Sequence, residues 1–346
     1  MPDRMMAAVL YGQEQIQIES VEIPQVGPGD LLVRVRVALT CGTDVKVFRR
    51  GYHARMIVPP ALFGHELAGD VVAVGGGVTH FHPGDRIVAA NSAPCGVCHY
   101  CRRGKTNLCD DLLFNNGAYA EYIRIPARIV ELNTHKIPQT ITYSDAALTE
   151  PLACALKAIE DTDPQVGDTL TVIGLGPLGT MLVKLAKLAG TRVIAVARKS
   201  SQVERALKMG ADEGVATDCT PDAVQRVLDL TGGAGSEIVI EAVGKPETWN
   251  SAVSMLRRGG TVNFFGGCPA DTSVSLDTNL LHYSELTCKA SFHHTPAHIR
   301  RALDVIIAGH VTARDFVNHE EPLANLPQVM QHLAHHNGSL KTAILP

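Results

Sequence analysis

The chain of 346 residues lacks a marked excess of charge, long apolar runs, internal repeats and low-complexity segments. Lys and Arg number 31 against 35 Asp and Glu, a net charge of −4, so the clustered positive face of a nucleic-acid-binding protein is not expected. No apolar run approaches the roughly eighteen residues of a spanning helix, and "MPDRMMAAVLYGQEQIQIE" does not resemble a secretory signal. These absences predict a cytoplasmic globular protein without nucleic-acid or membrane partners.

The order of predicted elements changes along the chain. The first 150 residues are mostly predicted strands, such as the alternating "LLVRVRVAL" (31–39) and "GAYAEYIRIP" (117–126). From Asp168, apolar strands alternate with amphipathic helices, among which we predict "TWNSAVSMLRRGG" as a helix. This alternation indicates βαβ units and a parallel sheet. The expected fold class is α/β, with a β-rich domain over 1–152 and 289–346 and a doubly wound parallel-sheet domain over 153–288.

A glycine-rich turn follows the first strand of the second domain. In "TLTVIGLGPLGTMLVKLAKLAG", Gly174, Gly176 and Gly179 form G-x-G-x-x-G between an apolar strand and a long helix. That context is the one in which glycines allow a tight turn, close approach of a pyrophosphate and helix–strand packing. The sequence therefore predicts a dinucleotide site at the start of this helix.

The end of the next strand suggests which dinucleotide binds. In "TRVIAVARKSS", Ala197 occupies the place of the carboxylate that normally binds the ribose hydroxyls of NAD. Arg198, Lys199 and Ser200 follow, and cations at this point suit a 2′-phosphate. We predict NADP(H) in preference to NAD(H), the alternative being solvated surface charge beside an NAD site.

Four of the nine cysteines lie within fifteen residues, in a segment of about 92–112. Cys95, Cys98, Cys101 and Cys109 have the spacing C-x2-C-x2-C-x7-C, which can enclose one tetrahedral zinc ion. A ferredoxin-type cluster would favour a C-x3-C-P ending, and a thioredoxin-like pair would lie at a helix start in a βαβ unit. Neither context is present, so a structural zinc is predicted.

The chain resembles the zinc-dependent medium-chain dehydrogenase/reductases, especially their polyol (sorbitol-like) and threonine dehydrogenase branches. The resemblance covers nearly the whole length and rests on motifs that occur in the family's order: "CGTD", "GHE", "PGDRI", the four-cysteine segment, "GAYAEY", "TEPL", "GLGPLG", "EAVG" and "RRGGTVNFFG". It implies a GroES-like catalytic domain, a Rossmann cofactor domain and a homodimer or homotetramer.

The same resemblance implies a catalytic zinc held by Cys41, His65 and Glu150, with Glu66 as a close partner or an alternating ligand. Thr43 would take the proton released by the substrate alcohol. The family often ends this proton relay with a His where this chain has Lys46, which could instead steer cofactor phosphates or lie in solvent. The implied cofactor contacts comprise, besides the residues above, Pro177, Leu178, Val243, Phe265, Gly266 and Phe292.

The expected substrate is a secondary alcohol, most simply a polyol, cyclitol or sugar alcohol. The sequence departs from the sorbitol pattern, since Val47 replaces an aromatic residue and "SFHH" places His293 and His294 where an Arg is expected. These histidines and Phe114 are candidate substrate residues; Phe48 and Tyr119 are considered too, with core packing as the alternative. Two other functions remain open: a threonine-type amino-alcohol dehydrogenase using NAD(P), and a non-enzymatic, dinucleotide-sensing zinc protein.

Overall fold

The computed structural model describes residues 3–53, 56–335 and 340–346. The part of the chain up to Ala147 contains ten described strands: β1 (Arg4–Gly12), β2 (Gln15–Glu22), β3 (Leu31–Leu39), β4 (Ala61–Leu62), β5 (Glu66–Val74), β6 (Arg86–Ala89), β7 (Ser92–Ala93), β8 (Leu113–Phe114), β9 (Tyr122–Ile125) and β10 (Thr134–Lys136). Its helices are α1 (Gly42–Arg50), α2 (His99–Arg102), α3 (Ala127–Asn133) and α4 (Tyr143–Ala147).

The middle of the chain alternates helices and strands. The helices are α5 (Thr149–Glu160), α6 (Pro177–Leu188), α7 (Ser200–Lys208), α8 (Ala223–Leu230), α9 (Pro246–Ser254) and α10 (Thr278–Tyr283). The strands are β11 (Thr169–Ile173), β12 (Arg192–Ala197), β13 (Glu213–Ala216), β14 (Ser236–Glu241), β15 (Leu256–Phe264) and β16 (Thr287–Ala290). The last segment holds α11 (Pro296–Ile307), α12 (Ala313–Phe316), β17 (Val317–Pro322), α13 (Leu326–His335) and β18 (Lys341–Leu345).

The chain divides into two units. One, here called the split unit, comprises Met1–Ala153 and His294–Pro346; the other, the central unit, comprises Cys154–His293. In the described residues, no helix combines the length and apolar character needed to cross a membrane.

The split unit is built around a seven-stranded sheet in the order β10-β6-β5-β3-β18-β17, with β9 also pairing with β3. In β3 the side chains of Val33 and Val35 are buried while Arg34 and Arg36 face solvent, which is the alternation seen in the sequence. The C-terminal strand β18 runs antiparallel to β3, with Ala343 opposite Leu39. This pairing brings the end of the chain beside the residues that follow β3.

The central unit has a six-stranded parallel sheet in the order β13-β12-β11-β14-β15-β16. This is the doubly wound order, in which a ligand binds beyond the carboxyl ends of the strands where the winding reverses, here between β11 and β14. The predicted α/β class is therefore confirmed, with a β-rich part and a parallel-sheet part.

Two predictions of local structure were wrong. The stretch "LRRGG", predicted to continue a helix, begins β15, because α9 ends at Ser254 and the chain enters the sheet at Leu256. Residues 289–293, predicted to return to the first domain, belong to the central unit. The reason is that β16 pairs in parallel with β15 through Ala290 and completes the sheet.

Candidate metal centres and cofactor site

The first candidate metal site lies where β3 ends and β5 begins. Leu39 is paired with Glu66 across these antiparallel strands, so Cys41 and His65 are brought next to each other. The Cys41 Sγ atom, one His65 ring nitrogen and one Glu66 carboxylate oxygen all lie within 4.8 Å of one another, and all three residues are buried. A thiolate, an imidazole and a carboxylate are zinc ligands, so this donor set fits a zinc ion.

Asp44 organises this site from the first turn of α1. Its carboxylate contacts His65 Nδ1 at 2.8 Å, accepts a bond from the Cys41 backbone N–H at 3.2 Å and accepts another from the Tyr119 hydroxyl at 2.6 Å. Burial by itself would lower the pKa of His65, but the Asp44 carboxylate outweighs it and holds that pKa well above its ordinary value. With Nδ1 engaged by Asp44, Nε2 is the His65 nitrogen left for a metal.

Lys341 reaches the same site from β18. Its ammonium donates to both Glu66 carboxylate oxygens, at 2.7 and 2.6 Å, and to the Thr40 carbonyl at 3.0 Å. Glu66 is fully buried and Lys341 is only 2% exposed. Burial raises the pKa of Glu66 to about 7 even though the Lys341 ammonium acts in the opposite direction. The contacts place Glu66 as a partner of Lys341, and its role as a zinc ligand stays a prediction.

Glu150 lies in the first turn of α5 and is buried. It lies outside the 4.8 Å group of Cys41, His65 and Glu66, and its negative charge contributes to the raised pKa of Glu66. One Glu150 oxygen is 3.5 Å from Nε2 of His294, and that nitrogen is 3.3 Å from the Asn91 Oδ1 atom. The predicted zinc ligand Glu150 thus has buried His294 beside it.

The other predicted catalytic and substrate residues occupy varied positions. The Thr43 backbone N–H donates to Cys41 Sγ at 3.4 Å, and Lys46 is exposed on α1. Phe48 and Tyr119 are fully buried in the core, so their alternative interpretation as core residues is confirmed. Phe114 is half-buried in β8, and His293, in the central unit, has a left-handed backbone with φ of 58°.

The four clustered cysteines form a second candidate metal site. Their Sγ atoms lie within 4.8 Å of one another, with 3.9 Å between Cys98 and Cys109. Sulfurs at the corners of a zinc tetrahedron with bonds near 2.3 Å lie about 3.8 Å apart, so the donor set fits zinc. Backbone N–H groups of Cys101 and Asp110 lower the pKa of Cys98 to about 6, which favours the thiolate, whereas burial raises that of Cys109 to about 12. Strands β7 and β8, which pair with each other, flank the four-cysteine segment in the sequence.

The glycine turn leads from β11 into α6 in the central unit. Gly174 has φ of 95°, and a Cβ atom on Gly179 would lie 1.7 Å from the Gly174 carbonyl oxygen, so neither position accepts a larger residue without movement. A Cβ atom on Gly176 would meet nothing within 4 Å. Gly176 precedes Pro177 and Leu178 at the start of α6, so open space lies where a pyrophosphate would approach the helix N–H groups.

The end of β14 forms the other side of the point where the winding reverses. The Glu241 carboxylate is fully buried and accepts bonds from the backbone N–H groups of Val243 and Gly244 and from the Thr248 hydroxyl. After β15, Phe265 and Gly266 both donate their N–H groups to the Glu241 carbonyl. The side chain of Phe292, past β16, is about half exposed. Glu241 thereby holds the turns that carry three of the predicted cofactor residues, Val243, Phe265 and Gly266.

Charged residues of both signs lie beyond β12. Ala197 ends the strand, and Arg198 and Lys199 are exposed directly after it. Ser200 opens α7 and donates from its backbone N–H and its hydroxyl to Asp218, at 3.2 and 3.1 Å. Those N–H and hydroxyl donors lower the pKa of Asp218. A carboxylate thus lies beside the predicted 2′-phosphate position, contributed by the loop after β13 and not by β12.

The sequence reasoning missed Asp44, Lys341 and Asp218. Asp44 is the D of the "CGTD" motif, so its place three residues after Cys41, at a helix start, was a usable signal. Lys341 lies 275 residues from Glu66, and nothing local in the sequence links them.

Comparison with known proteins defines the class to which this fold and these sites belong. The family described as "Alcohol dehydrogenase GroES-like domain" matches residues 27–139, and "Zinc-binding dehydrogenase" matches residues 177–308. Sorbitol dehydrogenase of Bacillus subtilis (strain 168) is 30% identical over 353 residues, which cover 100% of this chain and 98% of that protein. The chain belongs to the zinc-dependent medium-chain dehydrogenase/reductase family, in its polyol and threonine dehydrogenase branch.

Two further relatives bear on substrate and cofactor. L-threonine 3-dehydrogenase of Pyrococcus abyssi (strain GE5 / Orsay) is 32% identical over 297 residues, covering 83% of this chain and 82% of that protein. A solved structure described as a zinc-binding dehydrogenase from Sinorhizobium meliloti 1021, bound to NADP, has a TM-score of 0.90 and 30% identity and covers 100% of both chains. The predicted family, with its GroES-like and Rossmann-type domains, is thereby confirmed.

Proposed function

We propose that this protein transfers a hydride between NADP(H) and a secondary alcohol or ketone, and that the alcohol is a polyol, cyclitol or sugar alcohol. The observation that carries the proposal is the buried donor set of Cys41, His65 and Glu66, together with the buried Glu150, whose charge acts on Glu66. Asp44 is hydrogen-bonded to His65, and Lys341 is hydrogen-bonded to Glu66. Outer partners of this kind orient the ligands of a metal site.

Cys41, His65 and Glu150 would hold the catalytic zinc, and the four clustered cysteines a structural one. When bound, zinc lowers the pKa of a substrate hydroxyl, and the nicotinamide accepts or donates the hydride. Asp44 keeps the His65 Nδ1 atom engaged and its ring oriented. The Thr43 hydroxyl, two residues after Cys41 in the first turn of α1, would take the alcohol proton, and exposed Lys46 would pass it on or act on cofactor phosphates.

The preference for NADP(H) is supported by the end of β12. Ala197 leaves no carboxylate on the strand, and the exposed Arg198 and Lys199 can pair with a 2′-phosphate. Asp218, held by Ser200, favours the second candidate, NAD(H), because a carboxylate there would repel a phosphate and could accept bonds from ribose hydroxyls. The proposal requires that the two cations outweigh this one anion.

Two substitutions separate these cofactor assignments. Arg198→Gln is expected to raise the Michaelis constant for NADP⁺ by about 10- to 100-fold, the loss of one charged bidentate contact, and to leave that for NAD⁺ nearly unchanged. Asp218→Asn is expected to lower the constant for NADP⁺. Lys208→Gln, an exposed cation at the far end of α7, is the matched control. Equal effects of Arg198→Gln on both cofactors would contradict the phosphate contact.

The polyol assignment is supported by the match to sorbitol dehydrogenase over the full length of both proteins. The second candidate substrate is a threonine-type amino alcohol, favoured by the relative from Pyrococcus abyssi. Nucleotide reduction should be followed by absorbance with polyols, cyclitols, secondary alcohols and threonine. Turnover of threonine but of no polyol would replace the proposal, and binding of zinc and NADPH without any turnover would indicate a dinucleotide-sensing protein.

We also propose that the protein forms a homodimer or homotetramer. Strand β16 lies at the edge of the parallel sheet, and most of its residues, including Cys288, are exposed. An exposed edge strand offers unpaired backbone groups to a second copy. Sedimentation velocity should show a dimer or tetramer at micromolar concentration, and a monomer would contradict this.

A further inference from the structure

An arginine from α7 reaches the glycine turn of the central unit. Arg205 lies in the second turn of α7, and its Nη2 atom donates to the Leu175 carbonyl at 3.3 Å. Long side chains lean toward the N-terminus of their helix, so Arg205 is directed toward the carboxyl end of β12, where α7 begins. The guanidinium thus lies near both segments that a dinucleotide needs in this fold, the strand end for its ribose and the glycine turn for its diphosphate.

The Leu175 carbonyl depends on this arginine. Leu175 is 1% exposed, and a buried carbonyl oxygen without a hydrogen bond is costly. The Thr180 hydroxyl is 3.5 Å from the Leu175 carbonyl oxygen but only 2.8 Å from that of Gly176, and it has one proton to donate. Arg205 is therefore the principal donor to the Leu175 carbonyl among the described residues.

The contact also fixes a backbone N–H. The Leu175 carbonyl and the Gly176 N–H belong to one trans peptide unit, in which the two groups point in opposite directions. A donor that holds the carbonyl on one side therefore sets the direction of the N–H on the other. Within residues 3–53, 56–335 and 340–346 the Gly176 N–H has no acceptor, and a Cβ atom on Gly176 would meet nothing within 4 Å. This N–H thus lies beside the open space where a diphosphate would approach α6.

The charge of Arg205 favours the same ligand. The side chain is half-buried, and burial lowers its pKa, although an arginine stays protonated near pH 7. A cation that has lost part of its hydration gains from a nearby anion, and the dinucleotide diphosphate is such an anion. Arg198 and Lys199, by contrast, are exposed beyond β12, on the side assigned to the 2′-phosphate.

We propose that Arg205 is a positioning residue for the dinucleotide: it holds the Leu175–Gly176 peptide so that the Gly176 N–H is directed at the cofactor diphosphate. The inference rests on the proposed function, because it requires a dinucleotide at the glycine turn. It does not depend on which dinucleotide is preferred, since NADP(H) and NAD(H) share the diphosphate. Arg205 therefore differs from Arg198, whose assigned partner is present in NADP(H) alone.

The test measures binding, not turnover, in the full-length, zinc-loaded protein. Dissociation constants of NADPH and NADH are obtained from nicotinamide fluorescence, and that of adenosine, which has no diphosphate, from competition with NADPH. Arg205→Met removes the charge and every side-chain N–H but keeps an unbranched chain. We expect both nucleotide constants to rise by a similar factor, about tenfold or more, and the adenosine constant to stay within about twofold.

Two comparison variants accompany it. Arg205→Lys keeps a cation and should lose less affinity for both nucleotides than Arg205→Met. Arg226→Met removes an exposed arginine from α8 of the same unit and should bind all three ligands like the unsubstituted protein.

Nucleotide constants that are unchanged in Arg205→Met would overturn the proposal. An equal loss of adenosine affinity would overturn it too, because the substitution would then damage the whole site, and so would a loss in Arg205→Lys as large as that in Arg205→Met. Urea unfolding followed by Trp249, which lies in the central unit, shows whether Arg205→Met folds. If it does not, Arg205→Gln replaces it, with an expected loss of about threefold or more for both nucleotides and unchanged binding as the contrary result.

Failure of the proposed function gives a different result. An unsubstituted protein that binds neither nucleotide would contradict the proposed function and this inference with it. A preference for NADH over NADPH would contradict only the NADP(H) assignment, and the effect of Arg205→Met on both nucleotides would still support the role of Arg205.

Discussion

Lys341→Met should destabilise the split unit more than the loss of any exposed ion pair would. The substitution removes three hydrogen bonds, two of them to a carboxylate that is fully buried. Methionine fills a similar volume, so the main cost is a buried Glu66 charge without a partner. Breaking a buried ion pair from one side costs about 3–5 kcal/mol, and we expect a loss of stability in that range.

Two further variants isolate the cause. Lys341→Met combined with Glu66→Gln removes the unpaired charge and should restore at least half of the lost stability. Lys136→Met removes a partly exposed pair with Asp85 in the same unit and should cost no more than about 1 kcal/mol.

The assay must report on the split unit. The one tryptophan, Trp249, lies in the central unit, so its fluorescence follows the other part of the chain. Hydrogen exchange of β3 and β18, whose pairing includes the bond from the Thr342 N–H to the Thr40 hydroxyl, measures the opening free energy directly. A loss below about 1 kcal/mol for Lys341→Met, or a double variant no more stable than the single one, would refute the reasoning.

Three other predictions concern metal binding and pH. Glu150→Gln should reduce zinc from two ions per chain to one, with the cysteine site still loaded; loss of both ions together would contradict two separate sites. Asp44→Asn should weaken the catalytic zinc by about 10- to 100-fold in chelator competition, because His65 loses the carboxylate that orients it; an unchanged affinity would argue against that role. The free energy of unfolding should fall as the pH decreases from about 6.5 to about 4, since the unfolded chain gains a proton that His135 in the folded chain does not accept. The contribution is at most about 3 kcal/mol, less after solvent screening, and an undiminished pH dependence in His135→Gln would exclude His135 as its source.

Some of the fold and sites could be predicted because their determinants are local. The alternation in "LLVRVRVAL" corresponds to β3, and G-x-G-x-x-G between strand and helix corresponds to the turn at Gly174. The cysteine spacing confines four thiols to one short segment, so their proximity follows largely from chain connectivity. In each case the residues that matter lie within a stretch of at most fifteen residues.

The errors arose where neighbours in space decide the structure. "LRRGG" has no strong strand pattern, yet β15 begins there because Leu256 pairs with Ser236 at the start of β14. The pairing of β16 with β15 likewise keeps residues up to 293 in the central unit. Pairing with a neighbouring strand overrides weak local propensity in such segments.

The sequence by itself determined the class of protein, because the family's motifs and spacings carry the metal and dinucleotide chemistry. Only the tertiary structure showed what supports that chemistry: Lys341 neutralising Glu66, Asp44 orienting His65, and Asp218 placed beside Arg198. The physical reason is that electrostatic and hydrogen-bonding partners act over a few ångströms of space, while the residues involved are up to 275 positions apart in the chain. The hydrogen bond from Arg205 to the Leu175 carbonyl likewise exists only once α7 packs beside the glycine turn.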